Sequence, residues 1–245
     1  MDPASLEPNA RDATPTTGAS LTQPTPTGST PASVVDLRDV VAVLGGFPAL
    51  AGVTLAVQRG EIVLLHGPNG AGKTSVLRLC AGLLPVARGE GHVLGLDLRT
   101  DRAAIRPRVG LLGHGNGLYA DLTVRENVRF WAATVGASDT EVGASLARMG
   151  LDGRLVDVPT RRLSAGQRRR TALACMIARR AELWLLDEPH AGLDAAGRDE
   201  LDATLRQAAA SGATVVVASH ELERAGSLAT RRAHVVAGQI VEPPR

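Results

Sequence analysis

The sequence predicts an α/β fold with an antiparallel β flank and a helical insertion. Three short, mostly apolar runs, at 61–66, 183–186 and 213–218, are typical of strands buried on both faces of a parallel sheet. Helical patterns follow these runs, and the region from about 113 to 180 is predicted to be mainly helical. Strands that alternate with helices indicate an α/β core, and the additional helices indicate an insertion into it.

The other elements are predicted from turn residues and from periodicity. Strands are expected at 34–43 and 52–57, on either side of the turn-rich segment Gly45-Gly46-Phe47-Pro48, and again around 92–96 and 109–112. The expected helices lie at 73–80, 124–134, 139–149, 164–178 and 195–209 and from residue 220 or 221 onward, and a closing hairpin is expected at 233–241.

Composition excludes several classes of protein. The net charge of the 245 residues is only +2, and the arginines are scattered, which argues against a dedicated nucleic-acid surface. The start of the chain lacks the pattern of a signal peptide, and no run of about 18 apolar residues predicts a membrane span. Cys80 and Cys175 are too far apart for metal-ligand spacing, so they are expected to be buried thiols.

Residues 1–33 differ from the rest of the chain. They hold six of the 14 prolines and seven threonines, with almost no large apolar side chain. Such a segment buries too little surface to offset the entropy lost on ordering, so a disordered tail is predicted. The folded domain is expected to cover 34–243.

The only lysine of the chain, Lys73, lies in a glycine-rich loop. Residues 67–74 read Gly-Pro-Asn-Gly-Ala-Gly-Lys-Thr, which matches the phosphate-binding pattern G-x-x-x-x-G-K-[ST] between a predicted strand and a predicted helix. The glycines allow backbone N–H groups to surround a phosphate, and the helix N-terminus adds partial positive charge. Lys73 is expected to contact the β- and γ-phosphates, and Thr74 to ligate Mg²⁺. The alternative is a structural glycine turn before a helix.

A second motif ends the apolar run at 183–186. Asp187 and Glu188 follow it directly, at the C-terminal edge of the predicted sheet. Asp187 is expected to hold Mg²⁺ through water, and Glu188 to act as the general base for the attacking water. An acidic pair at a strand end is common on its own, and it becomes specific only together with the phosphate loop.

A third motif, Leu163-Ser164-Ala165-Gly166-Gln167, opens a predicted helix. Ser164 alone could be an ordinary helix cap. Together with the two motifs above, however, the segment resembles the signature of ATP-binding cassette (ABC) ATPases, usually LSGGQ. The resemblance implies a P-loop NTPase (RecA-like) core with an antiparallel β subdomain and an α-helical signature subdomain.

Two further segments occur in the order that this family uses. Residues 191–194 match the loop that crosses the dimer interface, and Ser219-His220 matches the switch histidine that contacts the γ-phosphate. A histidine at a strand end is otherwise often just a polar terminus. The resemblance also implies a head-to-tail homodimer, or a pair with a second ABC subunit, closed around two ATP molecules. It implies transmembrane permease subunits as partners, at the cytoplasmic face of the cell membrane, and no nucleic acid.

One position departs from the usual family pattern. In the segment 109–114, His114 stands where most cassettes carry a glutamine that touches Mg²⁺ and water. Imidazole titrates near neutral pH and an amide does not, so His114 either tunes catalysis or is a neutral polar replacement.

The resemblance assigns roles residue by residue. Catalysis is expected from Glu188, His220 and His114, and metal binding from Thr74 and Asp187. Nucleotide binding is expected from the loop, the signature and the interface segment, namely Gly67, Pro68, Asn69, Gly70, Ala71, Gly72, Lys73, Thr74, Ser75, Ser164, Gly166, Gln167 and Asp194. Leu44 replaces the usual aromatic platform for adenine, so either Phe47 stacks on the base or aliphatic carbon packs against it.

Within the family, the chain resembles the ATP-binding subunit of the cytochrome c maturation haem exporter. That resemblance rests on Gly113-His114, on the Ser-Ala-Gly-Gln form of the signature and on the compact size. A drug or lipid exporter is the alternative, and a soluble ABC ATPase is disfavoured because the chain has neither tandem cassettes nor a long coiled-coil insertion. Tyr119, Phe130 and Trp131 lie where cassettes receive a coupling helix, although they could equally be helical core.

Overall fold

The computed structural model describes residues 33–113 and 115–241. The predicted tail therefore lies outside the described residues except for Ser33, and so does His114. Within the described ranges, none of the helices is long and apolar enough to cross a membrane.

A six-stranded sheet forms the centre of the molecule. Its strands are β3 (Ile62–His66), β6 (Val109–Leu112), β7 (Leu183–Asp187), β8 (Thr214–Ala218), β9 (Arg231–Val236) and β10 (Gln239–Val241), in the spatial order β10-β9-β3-β8-β7-β6. All neighbours are parallel except β9 and β10, which form the closing hairpin. The carboxyl ends of β3, β7 and β8 thus meet at one edge, where open α/β sheets bind ligands.

A four-stranded antiparallel sheet flanks this core. It consists of β1 (Val35–Leu44), β2 (Phe47–Val57), β4 (Arg88–Val93) and β5 (Leu96–Asp97), in the order β2-β1-β4-β5. One hydrophobic cluster fills the space between this sheet, helix α1 (Lys73–Cys80) and one face of the central sheet. The predicted α/β core with an antiparallel β flank is confirmed.

The helical part packs on the opposite face of the central sheet. It contains α3 (Val124–Ala133), α4 (Asp139–Arg148) and α5 (Ala165–Ala178), and a second hydrophobic cluster joins it to α6 (Ala195–Ala210) and α7 (Leu222–Leu228). Short helix α2 (Arg102–Ile105) precedes β6. Capping boxes at Thr123, Ser138 and Ser164 set the first residues of α3, α4 and α5.

Two predicted boundaries are wrong. The expected strand at 92–96 is divided into β4 and β5, because Leu94 (φ 54°) and Gly95 (φ 76°) form a left-handed turn inside it. The expected turn at 45–48 is shorter, since β2 already begins at Phe47 and includes Pro48. Proline is tolerated there because β2 is an edge strand of its sheet.

Candidate active site

The glycine-rich loop connects β3 to α1 and is shaped by two glycines. Gly72 caps α1 with φ 109°, and Gly67 leaves β3 with φ 142°. A Cβ on Gly67 would lie 2.1 Å from the carbonyl oxygen of Val235, a contact that no side chain could make. The neighbouring strand β9 therefore forces glycine at 67 and fixes the path of the loop.

Lys73 bends back over the loop. Its Nζ donates hydrogen bonds to the carbonyl oxygens of Gly67 (2.8 Å) and Pro68 (3.0 Å), and the residue is buried. An ammonium group has three hydrogens. Two of them anchor the side chain across the loop, and the third is available to an anion held at the start of α1.

Thr74 and Asp187 meet beside the loop. The Thr74 hydroxyl donates a hydrogen bond of 2.8 Å to Oδ2 of Asp187, at the end of β7. The two side chains are 113 positions apart in sequence, and the parallel sheet brings them together. A hydroxyl and a carboxylate are hard oxygen donors, the kind that Mg²⁺ uses together with substrate phosphates. The two predicted metal residues therefore fit that ion.

Glu188, the next residue, is held in a left-handed backbone conformation with φ 47°. Its carboxylate accepts hydrogen bonds from the Ser219 hydroxyl (3.1 Å) and the His220 backbone N–H (3.1 Å), and His220 Nδ1 lies 2.8 Å from Oε1. The hydrogen bond and charge of Glu188 raise the pKa of His220 above its ordinary value. Two residues predicted to be catalytic thus form one pair.

Part of this arrangement lines a cleft of about 550 Å³ at the carboxyl edge of the sheet. Its walls come from the loop and α1, from the end of β7, from the start of β2 and from the turn between β9 and β10: Pro48, Ala49, Asn69, Gly70, Gly72, Lys73, Thr74, Ser75, Asp187, Glu188, Ala237 and Gly238. The cleft therefore brings the phosphate loop together with the predicted metal residues and Glu188.

The signature segment lies in a different place. Ser164 caps α5 through a capping box, in which its hydroxyl accepts from the Gln167 backbone N–H (3.2 Å) and its own N–H donates to the Gln167 amide oxygen (2.9 Å). Ser164 therefore has the ordinary helix-capping role, which was one of the two alternatives for it. Ser164, Gly166 and Gln167 line a second cavity of about 440 Å³ together with Asp194. This cavity shares no lining residue with the first.

A family profile described as "ABC transporter" matches residues 50–191, more than half of the chain. The chain belongs to the ABC transporter family. This ABC protein is an ATPase coupled to transport and binds ATP.

Curated relatives give a narrower similarity. Over 75% of this chain and 90% of the relative, it is 40% identical to the protein named cytochrome c biogenesis ATP-binding export protein CcmA from Bradyrhizobium diazoefficiens. The protein of the same name from Rhodospirillum rubrum is 41% identical over 75% of this chain and 78% of its own length.

Solved structures of ABC ATPases show the same fold. A dimeric ATP-binding cassette in a post-hydrolysis state, bound to ADP and Pi, superposes with a TM-score of 0.78 at 25% identity, covering 86% of this chain and 98% of the other. CbiO1 from Clostridium perfringens, described as part of the ABC transporter complex cbiONQ, gives 0.76 at 25% identity over 86% of this ABC ATPase and 87% of cbiO1.

The aromatic residues that are not fully buried lie at two places. Leu44 and Phe47 are exposed at the tip of the β1–β2 hairpin, with Phe47 78% exposed. Tyr119 and Phe130 are also exposed and touch edge to face, with ring centres 4.8 Å apart. Trp131 is partly buried and lines a groove of about 360 Å³.

Several contributors to the site could not be recognised from sequence motifs. Ser219 precedes the predicted switch histidine and has no predicted role of its own, yet it binds the Glu188 carboxylate. Ala237 and Gly238 line the phosphate cleft from the closing hairpin, and no local pattern marks them. Arg169 of α5 is buried, and burial lowers its pKa; its Nη2 reaches the Glu188 carbonyl oxygen at 3.4 Å. Residues 168–170 are all arginine, and nothing in that run distinguishes Arg169 from its neighbours.

Proposed function

We propose that this chain is the ATP-hydrolysing subunit of a membrane exporter that serves cytochrome c biogenesis, with haem as the cargo. Support comes from the named relatives, which are about 40% identical over three quarters of the chain. The family-specific details Gly113-His114 and Ser-Ala-Gly-Gln at 164–167 agree with that assignment. The exporter's transmembrane permease subunits would hold the chain at the cytoplasmic face of the membrane.

One observation supports the mechanism: the residues predicted to bind ATP line two separate cavities of a single chain. The phosphate cleft holds Lys73, Thr74 and Glu188, whereas Ser164 and Asp194 line another cavity. A second copy placed head to tail would add its signature and interface loop to each cleft. The α5 N-terminus would then offer its positive end and the Ser164 hydroxyl to the phosphates. ATP would thereby complete the interface, and hydrolysis would release it.

The residues of the cleft divide the chemistry between them. Lys73 and the loop would bind the β- and γ-phosphates, and Thr74 with Asp187 would hold Mg²⁺, which neutralises phosphate charge when bound. Glu188 would accept the proton of the attacking water. Ser219 and His220 hold its carboxylate at one position by three contacts, so the base needs little reorganisation.

His220 would also contact the γ-phosphate. Its Nδ1 faces Glu188, so Nε2 is the ring nitrogen that remains for a phosphate oxygen. We assign to His114 a further hydrogen bond to the attacking water or a metal-bound water, in place of the usual glutamine. His114 lies outside the described residues, so this role rests on the sequence alone.

We assign the groove beside Trp131 to the membrane subunits. Arg179 lies over the Trp131 ring at 4.8 Å, and the groove also contains Leu83, which is 48% exposed. An apolar floor with a cationic rim suits a short amphipathic helix of a partner. Exposed Tyr119 and Phe130 would extend the same surface.

The dimer is tested with Glu188→Gln. This change keeps the size of the side chain and removes the base, so the variant should bind ATP, form a stable dimer and hydrolyse ATP at least about 100-fold more slowly. Size-exclusion chromatography with and without ATP measures the dimer. Glu223→Gln is the matched control, because Glu223 is exposed on α7. A Glu188→Gln chain that stays monomeric with ATP would refute the head-to-tail site.

The cargo is tested by purification of the tagged chain from native membranes. Transmembrane subunits should co-purify, and the complex should contain haem, measured by its absorption spectrum. Permease subunits of an exporter without haem would overturn the cytochrome c assignment and leave the ATPase mechanism intact.

A further inference from the structure

Helix α6 carries a row of polar side chains that contact two segments of the proposed nucleotide site, the interface loop and the segment that begins with His220. Asp194 caps the helix, with its Oδ1 accepting from the Gly197 N–H at 2.9 Å. Arg198 and Asp202 follow at successive intervals of four residues, so they project from the same side of the helix. This row contacts the interface loop 191–194 through Leu193, and it contacts the segment 220–224 through Glu221 and Arg224.

Arg198 contacts both segments at once. Its Nε donates to the Leu193 carbonyl oxygen at 3.0 Å, and its Nη1 donates to the Glu221 carboxylate at 3.0 Å. The Arg198 and Glu221 side chains are 33% and 26% exposed, so water competes only partly for this pair. A planar guanidinium fixes the angle between its two contacts, so Leu193 and Glu221 are held in one geometry.

The contact continues to the catalytic base. The Glu221 backbone N–H donates to the Ser219 hydroxyl oxygen at 3.1 Å, and the same hydroxyl donates to Glu188 Oε2 at 3.1 Å. A continuous path thus connects the Leu193 carbonyl to the Glu188 carboxylate. It runs through the Arg198 guanidinium, through Glu221 and through the Ser219 hydroxyl. In this path Arg198 connects the interface loop to the segment 220–224.

A second bridge, with His190 and Asp202 buried, joins the residue before the interface loop to the segment 220–224. His190 is 1% exposed, and its Nε2 lies 2.7 Å from Asp202 Oδ1, while Asp202 Oδ2 accepts from Arg224 on α7 at 2.8 Å. Asp202 is itself 5% exposed. Arg224 also binds Asp199, which holds it against α6. Two parallel bridges oppose any independent motion of the two segments.

We propose that Arg198 is a positioning residue that couples the interface loop of one subunit to that subunit's own Glu188 and His220. The inference rests on the proposed head-to-tail dimer. In that dimer the loop 191–194 lies against the partner's nucleotide, whereas Glu188 and His220 serve the subunit's own nucleotide. Closure at one site therefore positions the base at the other, and the two sites hydrolyse ATP cooperatively.

The experiment is a double-mutant cycle on the full-length chain. Arg198→Met keeps the aliphatic stem and removes both contacts, and Glu221→Ala removes the acceptor. We expect each change to lower kcat roughly tenfold, the size of one lost charge-assisted hydrogen bond. We also expect each to lower the Hill coefficient for ATP from above 1 towards 1. The double variant should be no worse than either single variant, because all three break one path.

Arg206→Met is the matched control. Arg206 lies on the same helix and lines the same surface groove between α6 and α7. It should keep the wild-type kcat and Hill coefficient. If Arg198 has only a structural role, Arg198→Met should lower the melting temperature and leave the Hill coefficient unchanged. A lower Hill coefficient therefore distinguishes the coupling role from a loss of stability.

The outcomes separate this proposal from the one on which it rests. If Glu188→Gln forms no dimer with ATP, the dimer itself fails. If that dimer forms and Arg198→Met keeps the wild-type Hill coefficient, the coupling role of Arg198 is overturned alone. Additive kcat losses in the double variant, or a wild-type Hill coefficient of 1, overturn it as well.

Discussion

Replacing Ser219 by alanine tests whether the position of the Glu188 carboxylate sets the rate. Ser219 is 1% exposed, and its hydroxyl has two contacts: it donates to Glu188 Oε2 at 3.1 Å and accepts from the Glu221 N–H at 3.1 Å. The change removes both contacts and adds no atom. We expect ATP still to bind normally, because Ser219 does not line the phosphate cleft.

The size of the effect follows from the contacts that remain. A hydrogen bond to a charged group is worth about 1.5–3 kcal/mol, which corresponds to roughly 10- to 100-fold in rate if the whole contribution acts in the transition state. Glu188 keeps two other contacts, both from His220, so the carboxylate retains most of its restraint. The expected loss of kcat is therefore at the lower limit, about tenfold, with the KM for ATP within about twofold of wild type.

Ser145→Ala provides the matched control. Ser145 is also 1% exposed and also donates one hydrogen bond, but its acceptor is the Val142 carbonyl within α4, and Ser145 lines neither the phosphate cleft nor the signature cavity. Both substitutions should lower the melting temperature by a similar amount. Steady-state ATPase assays and thermal unfolding separate the two effects.

Two results would refute the reasoning. An equal loss of kcat in Ser219→Ala and Ser145→Ala would show that rate follows general stability. A raised KM with unchanged kcat would show that Ser219 acts on ATP binding and not on the base.

Two further predictions concern the loop and the switch histidine. Gly67→Ala should lower the melting temperature by roughly 2–12 °C more than Gly70→Ala, because its Cβ meets a backbone oxygen at 2.1 Å, whereas the space beside Gly70 (φ +77°) is open; equal shifts would contradict the contact. Glu188 raises the pKa of His220 above 6.5, so the stabilisation from this pair is complete below pH 6.5 and is lost as pH rises through the raised pKa. The difference in melting temperature between wild type and His220→Gln should thus be larger near pH 5.5 than near pH 9. It should be small at both, because solvent screens the exposed pair. A difference that does not depend on pH would contradict the link between His220 protonation and stability.

The sequence predicts the bounds of a helix or strand correctly where the interactions that set those bounds lie within a few residues of one another. The helix at 73–80 and the strand at 109–112 have the predicted bounds, because a glycine cap and a short apolar run each act within a few residues. The strand expected at 92–96 is wrong, because a left-handed turn at Leu94 and Gly95 divides it. The periodicity of apolar residues does not indicate that a leucine adopts a positive φ.

Sequence alone determined the chemistry of this protein: a phosphate loop with a single lysine, two carboxylates after an apolar strand, a capped signature and a histidine after another strand. These are short motifs whose function depends on neighbours in the chain. Tertiary structure alone decided which groups act together. Thr74 reaches Asp187 and Ser219 reaches Glu188 only because parallel strands end at one sheet edge, and Arg198 joins Leu193 to Glu221 only because α6 packs between their segments. Such contacts depend on distances across the fold, which no local pattern encodes.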